Sequence, residues 1–161
     1  MEISLTSKLQ IMFQSEADRK SAYDTMTAYR DACNFVSQYI FDHDFVLKQS
    51  ELQSALYHEL RKRFGLKSQM TQSVFKTVIA RYKTTQTQLR KQRVWDGYKK
   101  DNHGKDVPNY IKKDLTFLWK PIEFKRPQVD LVRNRDYSFK NDMLSMNTIN
   151  GRIFVKVYGL E

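Results

Sequence analysis

The pattern of apolar and polar positions changes character twice along this chain. From Ile3 to Phe13 ("ISLTSKLQIMF") β-branched and aromatic residues are enriched, which predicts a strand. Ser15 then stands before "EADRK", a helix start with an N-cap and acids in the first turn. Beyond it Tyr23, Met26, Tyr29, Cys33, Val36 and Ile40 recur at spacings of three and four, which predicts a helix to about Phe41. "DHDF" breaks that helix. Leu52, Leu56 and Leu60 predict a second one, from about Ser50 to Phe64, with Gly65 as its C-cap. The third begins near Ser68, and its pattern runs on to Trp95. After "DNHGKDVPNY" the chain turns β-rich, in "TFLWKPIEFKRPQVDLVRNRDYSF" and "MLSMNTINGRIFVKVYGL", where Asn150-Gly151 is a hairpin turn signal. The terminal Leu160-Glu161 reads as a cloning remnant.

One strand, three helices and then several strands imply an α+β fold. The economical arrangement is a small β-barrel with an inserted three-helix bundle. Residues 1–14 supply the first barrel strand, 15–100 the insertion and 101–161 the remaining strands. A strand that precedes three helices must find its ladder partners in the C-terminal third, because its backbone groups need pairing.

Charge sharpens the picture. The 161 residues carry 28 Lys and Arg against 18 Asp and Glu, a net charge of +10. The excess is concentrated: residues 1–59 hold 5 basic and 9 acidic side chains, residues 60–100 hold 12 and 1, and residues 101–161 hold 11 and 8. A surplus confined to one segment is what a surface for a polyanion requires, with nucleic acid ahead of a membrane. Cys33 is the only cysteine, which excludes an internal disulfide and a CxxC zinc site and fits a reducing, cytoplasmic setting. The opening residues have no signal-peptide pattern, and no apolar run reaches the length of a membrane span.

Within the basic segment the third helix stands out. At about 100° per residue, Leu66, Met70, Val74, Val78 and Tyr82 form an apolar face, with Phe75 and Ile79 beside them. Gln69, Gln72, Lys76, Ala80 and Lys83 gather on the opposite face, with no acid among them. Glutamine amides can read base edges and lysines can neutralise phosphate. A glutamine-rich solvated face is the plain alternative. The absence of acids and the run Arg61-Lys62-Arg63 just upstream favour nucleic acid.

Three segments, "YRDACNFVSQYI", "LKSQMTQSVFKTVIARYK" and "FKRPQVDLVRNRDYSF…LSMNTINGRIFVKV", together resemble the N-terminal portion of TnpB proteins, the OrfB-type transposases of insertion sequences. These are RNA-guided DNA endonucleases related to type V CRISPR effectors. The resemblance implies a wedge-like β-barrel with a helical recognition lobe inserted after its first strand. It implies two partners, a guide RNA and the short DNA motif that flanks the target. By similarity Ser68, Gln69, Gln72 and Lys76 match the lobe helix that faces that motif, while Lys140 and Asn141 fall near the wedge position that completes the reading. The family's RuvC-like nuclease and four-cysteine zinc finger have no counterpart in this sequence. What the resemblance supports is therefore a nucleic-acid-binding portion without catalysis or cofactor. A standalone helix-turn-helix DNA-binding regulator of transposon origin is one alternative, and a module that docks an acidic protein is another.

Further contact candidates lie in the last of the three segments. Arg133, Asn134, Arg135 and Tyr137 put arginines beside an aromatic, a combination that stacks on bases, and Lys125 is polar within the same motif. Phe117, Trp119 and Phe139 read as core. His43 between Asp42 and Asp44 has the composition of a metal site, but helix-ending loop acids account for it better. His58 and His103 stand apart from it in sequence, and Cys33 on an apolar helix face reads as core. No phosphate loop, nucleophile elbow or paired catalytic carboxylates occur.

Overall fold

A computed structural model describes residues 1–159; Leu160 and Glu161, which read as a cloning remnant, lie outside them. The first strand, β1, is Leu9–Phe13, followed by helices α1 (Glu16–Asp42), α2 (Gln49–Phe64) and α3 (Ser68–Leu89). A hairpin of β2 (Arg93–Lys100) and β3 (Asp106–Lys112) comes next, then strands β4 (Tyr137–Lys140), β5 (Met143–Thr148) and β6 (Gly151–Gly159). No described helix is long and apolar enough to cross a membrane.

The helices start and stop for local reasons. Ser15 adopts an extended backbone and its hydroxyl accepts from the Asp18 N–H at 3.1 Å, with Glu16 and Asp18 at the positive end of α1. At the other end Asp44 and Phe45 have φ of 54° and 55°, which no helix can continue. His43 stacks on Tyr39 and bonds its carbonyl through Nδ1, so it closes the helix. Gly65 closes α2 with φ 68°, and Gly65-Leu66-Lys67 turn the chain into α3. The three helices bury one core that includes Tyr29, Cys33, Val36, Leu60, Phe75 and Tyr82.

The sheet is not a closed barrel. Four strands in the order β1-β6-β5-β4, all antiparallel, form an open sheet. Strand β1 does pair with the C-terminal third, in the register Leu9↔Gly159 to Phe13↔Val155. It is shorter than the expected Ile3–Phe13, with ladder pairing over Leu9–Phe13. The inner face of the sheet, with Met146, Ile153 and Val155, packs on Ala22 of α1 as a second, smaller core. Phe139 lies on that inner side, against Tyr137, yet is 54% exposed because β4 is an open edge. It is not the core residue its pattern suggests.

Two further expectations fail. The third helix ends at Leu89 and not near Trp95, which belongs to β2, so the β2–β3 hairpin straddles the boundary drawn after Lys100. Much of "TFLWKPIEFKRPQVDLVRNRD" is not strand: apart from a single 3-10 turn at Leu115–Phe117 it is irregular. Phe117 and Trp119, whose pattern reads as core, are exposed, Trp119 by 82%.

The irregular segment is a strap laid along α1 and α3, and side chains of those helices replace the sheet partners it lacks. The Asn34 amide clamps one strap residue from both sides, accepting from the Phe124 N–H at 2.7 Å and donating to the Phe124 carbonyl at 3.0 Å. Ser37 donates to the Ile122 carbonyl, Arg30 Nη1 donates to the Lys125 carbonyl, and the Gln128 N–H donates to the Met26 carbonyl. Farther on, Asp130 accepts from Thr77 of α3 at 2.6 Å. Two segments that are about 90 residues apart in sequence, "YRDACNFVS" and "IEFKRPQVD", thus form one structural unit.

Candidate nucleic-acid interface

The strap delivers its end to the start of α3. At Val132–Tyr137 the chain folds into a tight turn: the Val132 carbonyl accepts from the N–H groups of Arg135 and Asp136, and the Asn134 N–H donates to the Tyr137 carbonyl at 2.7 Å. Asn134 sits at φ 64°, a left-handed conformation that asparagine tolerates better than most side chains. Asp136 is buried, and its carboxylate accepts from the Val132 N–H at 2.9 Å. Burial pushes its pKa above the usual carboxylate range, against the opposing pull of that N–H and of Arg152 and Arg135. Asn147 and Arg152 both donate to the Arg135 carbonyl. The backbone of the turn is therefore held from both sides while Arg133, Asn134 and Arg135 face solvent.

From this turn the Arg135 guanidinium reaches α3 and donates to the Gln69 amide oxygen at 2.7 Å. Next to Gln69, the Ser68 hydroxyl bonds the Tyr57 hydroxyl of α2 at 2.8 Å. Arg61 lies over that same Tyr57 ring, 5.9 Å from its centroid. Two guanidiniums thus flank the N-terminus of a 22-residue helix that has no side-chain cap on its first N–H groups. The partial positive charge of such an end adds to theirs in attracting phosphate.

Along α3 the polar face is where helical spacing puts it. Lys76, Ala80 and Lys83 are exposed, Gln69 and Gln72 half-buried, and Met70, Val74, Val78 and Tyr82 fully buried. Among the described residues no side chain bonds the Gln72 amide, and no acid pairs with Lys76 or Lys83. Gln69 and Ser68 are less available than the sequence implies, since each already has a protein partner.

The other predicted contacts do not all converge. Arg63 turns toward α1, with its guanidinium 4.6 Å from the Phe35 ring centroid and 2.9 Å from Glu59, so the run at Arg61–Arg63 wraps around α2 and forms no single patch. Lys140 and Asn141 sit at the far tip of the β4–β5 hairpin. Asn141 and Asp142 there have φ of 51° and 63°, the two left-handed residues a tight hairpin turn requires. Three strand steps, about 10 Å, separate that tip from Tyr137. Tyr137 is half-buried and packs into the smaller core, so it is not a free stacking platform. Lys125 is exposed beside Arg81 and Arg126, lining a shallow cavity on the strap side of α3. Sequence reasoning missed Arg81 and Arg126; the unbroken basic pair Lys125-Arg126 was the available signal.

Comparison of the chain with protein families, with curated proteins and with solved structures found no match in any of the three.

Proposed function

We propose that this chain is the nucleic-acid-binding portion of a TnpB-like RNA-guided DNA nuclease, with guide RNA and target-flanking DNA as partners and no catalytic role of its own. One observation carries the reading. The acid-free face of α3 continues, through the Arg135–Gln69 hydrogen bond, into the fixed Arg133-Asn134-Arg135 turn. A glutamine amide able to read a base edge and cations able to hold phosphate then lie side by side, on a helix and a turn pinned by its own hydrogen bonds. Lys76 and Lys83 extend the phosphate-holding groups along the helix, and Gln72 is the amide left free for a base. A second reading, a DNA-binding helix-turn-helix that works without RNA, draws on the three-residue turn Gly65-Leu66-Lys67 between α2 and α3.

A salt titration separates positioning from reading. Arg133→Ala with Arg135→Ala weakens binding to every sequence and flattens the plot of log affinity against log salt, by about 0.9 for each duplex phosphate that is no longer neutralised. Gln72→Ala leaves that slope alone and lowers discrimination between duplexes with and without a flanking motif by about 1–3 kcal/mol, the worth of a bidentate base contact. If Gln72→Ala binds all duplexes as the unaltered chain does, α3 reads nothing and its polar face is solvent-facing only. RNase treatment before the titration distinguishes the two readings, because only the first needs RNA.

A further inference from the structure

The β2–β3 hairpin takes no part in the surface described above, and its composition calls for an explanation. An isolated two-stranded hairpin is marginally stable in water, and the main packing of this one is strand on strand. It nevertheless exposes Trp95 by 56%, Tyr98 by 69% and Tyr110 by 56%.

The register shows that these rings share one face. Trp95 pairs with Tyr110 and Tyr98 pairs with Pro108, and residues paired across an antiparallel ladder point to the same side. Trp95 and Tyr98 are three apart, so in a regular strand they would point to opposite sides. Between them the register shifts: Asp96 and Gly97 together oppose Asn109, and Gly97 takes φ 75°. This bulge returns Tyr98 to the side of Trp95, and the two rings meet edge to face at 5.8 Å. Arg93 and Lys112, a cross-strand pair on the same face, flank the rings at the base of the hairpin.

Charge selects the occupant. Residues 90–113 carry eight Lys and Arg and three Asp. Two of the three acids are engaged locally: Asp106 pairs with Lys100 at 2.6 Å, and the Asp101 carboxylate accepts from the N–H groups of His103 and Lys105 to hold the tip. An exposed row of rings within a basic surround suits unpaired bases on a phosphate backbone, which present a π-face and a negative charge at each step. Stacked bases within a duplex do not offer their faces.

We propose that the aromatic face of the β2–β3 hairpin, built by the Asp96-Gly97 bulge, is a platform for single-stranded nucleic acid, with bases stacked on Trp95, Tyr98 and Tyr110 and phosphates held by Arg93 and Lys112. This platform is independent of the α3 face and does not rest on its role.

The chain has two tryptophans, so Trp119→Phe leaves Trp95 as the sole indole reporter. The full chain with that substitution is titrated with oligo(dT), with oligo(U) and with a duplex of equal length, at one salt concentration. Single strands quench Trp95 emission, and duplex leaves it nearly unchanged. Tyr98→Ala and Tyr110→Ala each weaken single-strand binding by about 5- to 150-fold, the range for removing one stacking partner. Trp95→Phe, followed with a labelled oligonucleotide, retains most of the affinity. Lys76→Ala with Lys83→Ala leaves the quench in place, so the two surfaces succeed or fail separately. The proposal is overturned if neither single strand alters Trp95 emission, if duplex quenches it equally, or if the alanine variants bind single strands as the unaltered chain does. Because the first comparison needs no hairpin variant, a variant that fails to fold does not protect the proposal.

Discussion

Replacing Asn34 by alanine removes both halves of the clamp on Phe124. The amide exchanges two hydrogen bonds with that residue, at 2.7 and 3.0 Å, and Phe124 is itself buried. Each bond contributes about 0.5–1.5 kcal/mol net, and leaving the Phe124 N–H and carbonyl without partners adds to the loss, so the whole cost is about 2–3 kcal/mol. For a chain of this size the midpoint of thermal unfolding drops by roughly 2–4 °C per kcal/mol, or about 4–12 °C in all. Circular dichroism melting gives the midpoint, and hydrogen–deuterium exchange at the Phe124 amide gives the local effect, which is faster exchange in the variant. Asn34→Asp keeps the acceptor for the Phe124 N–H and sets a carboxylate oxygen against the carbonyl, so it does not rescue the melt. An Asn34→Ala midpoint within about 1 °C of the unaltered chain, well below the drop expected for a chain of this size, with Phe124 exchange unchanged, would refute the strap's attachment.

Gly65→Ala places a side chain at φ 68°, with open space around it, so the loss is backbone strain alone, about 1–2 kcal/mol; a denaturant melt that shows no loss contradicts the assigned turn. The Arg135–Gln69 bond joins an exposed guanidinium to a half-buried amide, so a double-alanine cycle on stability gives a coupling of about 0.5–1 kcal/mol. Zero coupling would mean that the turn floats free of α3. Asp136 has a raised folded-state pKa, so the native chain holds that proton to higher pH than the unfolded chain, and stability falls as pH rises from the ordinary carboxylate range through the raised value. Asp136→Asn keeps an oxygen for the Val132 N–H and removes this slope, so the stability difference between variant and unaltered chain grows over that window. A difference that is flat with pH would show that burial does not perturb the group.

The helices were legible because each is stated locally. Ser15 caps, Gly65 terminates, and the Leu52-Leu56-Leu60 stripe has one period. The polar face of α3 was legible for the same reason, since helical angle follows from sequence spacing alone. The end of α3 was not. Between Thr84 and Trp95 there is no Gly or Pro, the β-branched Thr84, Thr85 and Thr87 lie within the helix, and the first local hint of strand is Val94 beside Trp95. The strap has the composition of strands because β-rich text reports an extended backbone and not what that backbone bonds to. Its partners, Asn34 and Ser37, lie roughly 85 to 90 residues away and announce nothing locally. The site is divided in the same way. Gln72, Lys76 and Lys83 are where spacing put them, whereas the convergence of Arg135 on Gln69, and the departure of Arg63 toward α1, depend on tertiary packing that no window of sequence contains.

Nucleic-acid binding is tested at its simplest by whether the purified full chain carries nucleic acid. It is isolated from a cell lysate at low salt, its absorbance at 260 nm is compared with that at 280 nm, and portions are digested with RNase or with DNase. Nucleic acid held by the α3 face and the Arg133–Arg135 turn gives an absorbance ratio above that of protein alone, lowered by RNase, and reduced when Arg133, Arg135, Lys76 and Lys83 are replaced together by alanine. A ratio equal to that of bare protein, unchanged by either nuclease, would contradict such binding.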